Sequence, residues 1–134
     1  MSSQSPFGFS VDVAMSYEEA NARVRDQLKA EGFGVLTEID VRATLREKLD
    51  VDFPRYAILG ACNPTLAHRA LQADPAVGLL LPCNVVVAER AEGGSRVSFM
   101  DPVAILDLAG NAALAPIAAD AAARLRRVAA SLAG

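Results

Sequence analysis

Two cysteine–asparagine pairs carry the side chains of this sequence that are best suited to chemistry or to ligand binding. Cys62-Asn63 ends one apolar stretch, and Cys83-Asn84 lies within the next. A thiolate is a nucleophile and a ligand for soft metals, whereas a carboxamide both donates and accepts hydrogen bonds. The pairs therefore indicate either a reactive or metal-binding thiol site or a site that holds a small ligand.

Each pair also has a structural explanation. Cysteine is among the most commonly buried residue types, and two thiols without a CxxC spacing are a weak sign of chemistry. Asn63 precedes Pro64, which is the pattern of a helix N-cap followed by proline at the first helical position. Asn84 lies in an apolar run and must find hydrogen-bond partners if it is buried. We take Cys62, Asn63, Cys83 and Asn84 as the candidate ligand-binding residues.

His68 is the sole histidine, six residues after Cys62 on a predicted helix. It could join the two sulfurs as a third metal ligand and leave an open position, as in catalytic zinc or copper sites. One histidine does not make a metal-site signature, and a surface position is the simpler interpretation. We therefore predict no metal site and keep Cys62, Cys83 and His68 as the only candidates for one.

The sequence contains no established catalytic motif. There is no phosphate loop, dinucleotide fingerprint, nucleophile elbow or zinc-protease helix. Carboxylates such as Glu38, Asp40, Asp50 and Asp52 fall at a predicted strand end or in a loop, where acidic residues are commonplace. No catalytic residue or cofactor can be named, and whether the protein is an enzyme stays open.

Composition and charge narrow the class of protein. The 134 residues are 52% hydrophobic and 22% charged, which predicts one globular domain over 1–134 with an ordered core of about 8–132. A net charge of -3 argues against a nucleic-acid partner, because such proteins need a basic face. The one basic cluster, Arg124 to Arg127, falls in a helical pattern and most simply forms a solvated face.

Membrane and secretory signals are missing. No apolar run reaches the roughly 18 residues that a membrane span requires, and the polar start precedes no signal-type apolar segment. We therefore expect no membrane partner, a cytoplasmic location and two reduced cysteines.

Hydrophobic periodicity predicts alternating strands and helices. The predicted strands cover 7–13, 33–39, 55–62, 78–89 and 96–100, and the predicted helices cover 16–32, 41–49, 64–73, 102–109 and 116–132. Ser16 with Glu19 forms a capping box, and Gly32 is a left-handed C-terminal cap. This order fits helices on one face of a mainly antiparallel sheet, and also a partly parallel sheet.

The segment 78–89 is nearly all apolar, and we predict it to be a central strand, covered on both faces and bent at Pro82. If this strand and the strand 55–62 are parallel neighbours, Cys62 and Cys83 lie at similar heights along the sheet. Contact between the two thiols also requires that they share a face of the sheet, which remains open.

Several strings together resemble one known family, the domain of unknown function 302. They are Tyr17-Glu18-Glu19-Ala20, the segments 31–36 and 58–64, Ala67 to Leu71, and the segment 78–87. The resemblance spans about Val11 to Leu132. It implies an α+β fold of the TATA-box-binding-protein-like type: a curved, mainly antiparallel sheet of about five strands with helices packed on one face. It also implies a bacterial cytoplasmic homodimer and no established activity.

We therefore expect a non-enzymatic, homodimeric binding module. Its site for a small ligand or a partner would lie near the turns Cys62-Asn63-Pro64 and Pro82-Cys83-Asn84. The first alternative is a thiol, redox or soft-metal site that uses Cys62 and Cys83. The second is a purely structural interaction protein.

Overall fold

The computed structural model describes residues 2–133, which form six strands and five α-helices. The strands are β1 (Ser2–Ser5), β2 (Gly8–Val13), β3 (Gly34–Asp40), β4 (Tyr56–Cys62), β5 (Cys83–Glu89) and β6 (Ser95–Met100). The helices are α1 (Tyr17–Ala30), α2 (Val41–Leu49), α3 (Pro64–Ala73), α4 (Pro102–Leu106) and α5 (Ala115–Ala133). Short 3₁₀ helices cover Pro75–Leu80, Asp107–Ala109 and Ala112–Leu114.

The strands make one sheet in the order β1-β2-β6-β5-β4-β3, and every neighbouring pair is antiparallel. The predicted α+β class is therefore confirmed. The sheet has six strands where about five were expected, because β1 pairs with β2 ahead of the first predicted strand.

One face of the sheet forms the core. Alternate side chains of the four central strands are buried on this face, because successive residues of a strand point to opposite sides. The largest of them are Phe9, Val11, Leu59, Val85, Val87, Val97 and Phe99. Helices α1 and α5 cover this face with their buried stripes, which include Val24 and Leu28 of α1 and Leu125 and Val128 of α5.

Local capping chemistry sets the limits of α1, as the sequence predicts. The Ser16 Oγ accepts the Glu19 backbone N–H at 3.2 Å and donates to the Glu19 carboxylate at 3.1 Å. The first of these bonds is one half of the predicted capping box, whereas the Glu19 carboxylate accepts the Ser16 hydroxyl instead of the Ser16 backbone N–H. The helix is followed by Gly32 at a φ of 85°, a left-handed conformation that glycine adopts without strain.

The basic cluster on α5 is only partly a solvated face. Arg124 donates to the Glu31 carbonyl at 3.0 Å, and Arg127 pairs with the Glu31 carboxylate at 2.9 Å. The Arg126 guanidinium lies 4.2 Å from the centre of the Phe9 ring. These arginines therefore connect α5 to α1 and to the sheet. Among residues 2–133, no helix is both long and apolar enough to cross a membrane.

The predicted central strand 78–89 is wrong over its first five residues. Residues Pro75–Leu80 form a 3₁₀ helix, a cis peptide bond joins Leu81 to Pro82, and β5 begins only at Cys83. The Asp74 carboxylate caps the 3₁₀ helix by accepting the Ala76 N–H at 3.0 Å. The segment is also not covered on both faces, because Leu79 is 89% exposed.

The parallel arrangement considered for the two cysteine-bearing strands is also wrong. β4 and β5 are antiparallel, with Ala61 opposite Cys83 and Gly60 opposite Asn84. The C-terminal end of β4 therefore lies beside the first residue of β5. This pairing, rather than an equal height on parallel strands, brings Cys62 and Cys83 to the same end of the sheet.

Candidate functional site

A cavity of about 370 Å³ opens where β4 ends and β5 begins. Cys62, Asn63, Pro82 and Cys83 all line it, so the structure brings both predicted turns to one place. The remaining walls come from the edge strand β3 and from α3, α4 and α5. Small residues, which leave the space open, recur among the lining residues: Ala61, Ala67, Ala70, Gly78 and Ala121.

Asn63 borders this cavity, but its amide oxygen is hydrogen-bonded to the backbone of α3. Its Oδ1 accepts the Leu66 N–H at 3.1 Å and so caps α3, with Pro64 at the first helical position. A Cβ atom added to Gly32 would lie 3.0 Å from the Asn63 Nδ2, so the amide nitrogen lies against that glycine. Helix capping therefore accounts for this asparagine.

The two thiols line the cavity as protonated groups. Both cysteines are free; Cys83 is buried and Cys62 is half-buried. Burial raises the pKa of Cys62, and burial together with the nearby charge of an ionised Cys62 raises the pKa of Cys83 to about 11. Cys62 directly precedes the N-terminal turn of α3, whose partial positive charge favours a thiolate. The pKa of Cys62 is nevertheless raised, because a buried thiolate loses its hydration.

This burial predicts slow alkylation. At neutral pH, we expect iodoacetamide to modify Cys62 before Cys83, and both more slowly than the same thiols in urea-unfolded protein, because the thiolate is the nucleophile. Intact-protein and peptide mass spectrometry over time would measure the order. A folded-state rate above the unfolded-state rate at either cysteine would contradict this account and would restore the reactive-thiol hypothesis.

A bulge in β3 supplies one wall of the cavity. The register against β4 shifts between Val35 and Thr37, so Leu36 is an extra residue that lies in the cavity wall while remaining 70% exposed. Bulges redirect side chains in this way. Next to it, Thr37 and Pro82 approach Gly60 so closely that a Cβ there would overlap the Thr37 Oγ1 and lie 2.9 Å from the Pro82 Cγ.

Asn84 and His68 lie elsewhere. Asn84 is exposed and lines a separate groove with Tyr56 and Ser98, because it follows Cys83 on the strand and points to the other face. His68 is an exposed residue of α3 that does not line the cavity. Within residues 2–133, no group of three or more histidine, cysteine or acidic side chains is placed to hold a metal ion.

Sequence reasoning missed most of the cavity lining. Leu36, Leu66, Leu106 and Ile117 come from four elements that are distant along the chain. The helical periodicity that predicts a buried Ile117 carries no information about which elements meet there.

Comparisons with known proteins agree with this fold. The family model "Domain of unknown function DUF302" matches residues 9–132. A crystal structure of an uncharacterized conserved DUF302 protein from Bacillus stearothermophilus superposes with a TM-score of 0.87 at 35% sequence identity. The alignment covers 94% of this chain and 98% of that one. No curated protein matches. The chain belongs to the family of the domain of unknown function DUF302.

Proposed function

We propose that this protein is a cytoplasmic, homodimeric and non-enzymatic module that binds a small, neutral, apolar ligand in the cavity between β4, β5 and α3. One observation carries the proposal: the turns at Cys62-Asn63 and Pro82-Cys83 border the same cavity, and none of the described residues that line it is charged.

The size and chemistry of the cavity support such a ligand. A volume of about 370 Å³ falls in the range of small-molecule sites, which are mostly apolar. A charged ligand would lose its hydration there without an opposite charge in return, which is strongly unfavourable. A neutral ligand instead exchanges water contacts for aliphatic ones, and each buried methylene contributes about 0.8 kcal/mol.

Binding is better supported than thiol chemistry. A thiol nucleophile or metal ligand must be a thiolate, and burial raises the pKa of both Cys62 and Cys83. The carboxamide oxygen of Asn63 already accepts a helix N–H. The groups nearest the cavity are thus suited to contact a ligand rather than to transform it.

Filling the cavity provides the test. Ala67 is a half-buried lining residue of α3, and Ala67→Leu adds a branched side chain to the cavity wall. We expect uncharged alkyl and aryl alcohols to raise the melting temperature of the wild type, and Ala67→Leu to weaken their binding by about tenfold or more, or about 1.4 kcal/mol. Thermal shift and calorimetric titration measure both effects.

Two matched controls sharpen this test. Ala22→Leu makes the same change at an exposed position of α1 away from the cavity and should bind the alcohols as the wild type does. Carboxylates of the same carbon skeletons should bind more weakly than the alcohols. The proposal fails if no alcohol stabilises the wild type, if Ala67→Leu binds normally, or if the carboxylates bind better.

A further inference from the structure

The cavity between β4, β5 and α3 has a buried part and an exposed part. The lining residues from α4 and α5 are all buried, and we call them the floor: Pro102, Leu106, Ile117 and Ala121. The lining residues from β3, the end of α3 and the first 3₁₀ helix are all exposed, and we call them the mouth: Leu36, Thr37, Leu71 and Gly78. Solvent therefore reaches the cavity at the mouth and not at the floor.

The floor has no side chain that can hold a polar group of a ligand. All four of its side chains are aliphatic. Within residues 2–133, every fully buried side-chain nitrogen or oxygen already has a hydrogen-bond partner. The thiol of Cys83, which also lines the cavity, is a weak donor and a weak acceptor. A ligand hydroxyl at the floor would therefore lose its water without a replacement, which is unfavourable.

The mouth is different, because a polar group placed there stays in water. The exposed Thr37 also carries a hydroxyl group, which can both donate and accept a hydrogen bond. Leu36 and Leu71 extend the aliphatic wall outward from the cavity to the solvent. The chemistry of the lining thus changes in one direction, from a wholly aliphatic floor to a hydrated mouth.

We infer that the ligand of this cavity is an amphiphile whose polar groups are all at one end, with its hydrocarbon chain on the floor and its polar end at the mouth. This inference rests on the proposed function and names the class and the orientation of the ligand. In this orientation each methylene exchanges water for aliphatic side chains, while the polar end keeps its hydration.

Two diols of the same carbon number test the orientation on the wild type. One has both hydroxyl groups at one end of the chain, and the other has one hydroxyl group at each end. Only the second must bring a hydroxyl group to the floor, so calorimetric titration should show it binding at least about tenfold more weakly than the first. Among unbranched primary alcohols, the affinity should rise about fourfold with each methylene until the chain reaches the floor, and then stop rising.

A substitution in the floor tests the same orientation from the side of the protein. Ala121→Leu fills part of the floor, so the rise in affinity should stop at a shorter alcohol, and the longest alcohol that binds tightly to the wild type should bind about tenfold more weakly or worse. Ala123→Leu is the matched control, because Ala123 is an exposed residue of the same helix that does not line the cavity. It should reproduce the wild-type series.

The possible failures are distinguishable. Equal binding of the two diols, or Ala121→Leu that is folded by circular dichroism and gives the same series as Ala123→Leu, would overturn the orientation but leave binding in the cavity standing. If no alcohol binds to the wild type, the inference and the proposed function both fail. Should Ala121→Leu not fold, the diol comparison decides the question on the wild type alone.

Discussion

Replacing Gly60 with alanine is expected to lower the free energy of unfolding by about 1–3 kcal/mol, the usual range for overpacking. The new methyl group would overlap the Thr37 Oγ1 and lie 2.9 Å from the Pro82 Cγ. The proline ring is rigid and the threonine is held on a paired strand, so the strain must move a strand. Because Thr37 and Pro82 line the cavity, the same substitution should also weaken alcohol binding. Urea denaturation measures the first effect, and titration of an alcohol probe measures the second.

A neighbouring glycine offers the control. No atom lies within 4 Å of a Cβ placed on Gly34, and its φ is not positive, so Gly34→Ala should be neutral or slightly stabilising. Combining Gly60→Ala with Thr37→Ala should recover part of the loss, since the overlapping oxygen is removed. If Gly60→Ala were as stable as Gly34→Ala, the close packing of β3 and Pro82 over β4 would not hold.

Alkaline pH is expected to destabilise the protein through Cys83. An unfolded cysteine ionises near 9.0, whereas burial raises the pKa of Cys83 in the folded state to about 11. Between these values the folded chain binds more protons than the unfolded chain. The contribution of the buried thiol to the free energy of unfolding is therefore fully present below pH 9. It is lost as the pH rises through 11, and the total loss is about 2–3 kcal/mol. Urea denaturation at a series of pH values measures this slope.

Other groups also titrate in this range, so the comparison must be between variants. Burial raises the pKa of Tyr17 as well, and tyrosine ionisation will add to any alkaline loss. Cys83→Ala should lower the free energy of unfolding by the same amount at every pH, because the packing of the sulfur is lost. Above pH 9, however, its free energy of unfolding should fall less steeply than that of the wild type. Cys62→Ala should keep most of the steep decline. Parallel curves for the wild type and Cys83→Ala would contradict a raised pKa at this thiol.

Short-range features of the molecule follow from local chemistry, which is why they could be predicted. Ser16 with Glu19, Asp40 and Asn63 each begin a helix where expected, because a side-chain oxygen accepts a nearby backbone N–H. Gly32 follows α1 in the left-handed conformation that its lack of a side chain allows. Long matching strings also identified the family, and with it the antiparallel α+β fold.

The errors occur where local signals are ambiguous. An apolar run such as 78–89 fits a buried strand and also a tight helical turn that leads into a strand, because composition is the same in both. The structure divides this run at Pro82: the residues before it end a 3₁₀ helix that exposes Leu79, and the residues after it form β5. The strand direction was likewise open, because a helical connection can join parallel or antiparallel neighbours.

The candidate site was also predicted only in part from the sequence. Residue types alone single out Cys62, Asn63, Cys83 and Asn84, because thiols and amides in apolar stretches are chemically conspicuous. Which of them meet depends on strand pairing and on the alternation of side chains across a sheet. Antiparallel pairing of β4 with β5 brings Cys62 beside Cys83, and the pleat sends Asn84 to the other face of the sheet. The cavity itself exists because side chains from β3, α3, α4 and α5 converge there. Contacts between segments so far apart in the chain produce no periodic pattern in the sequence, so they could not be predicted from it.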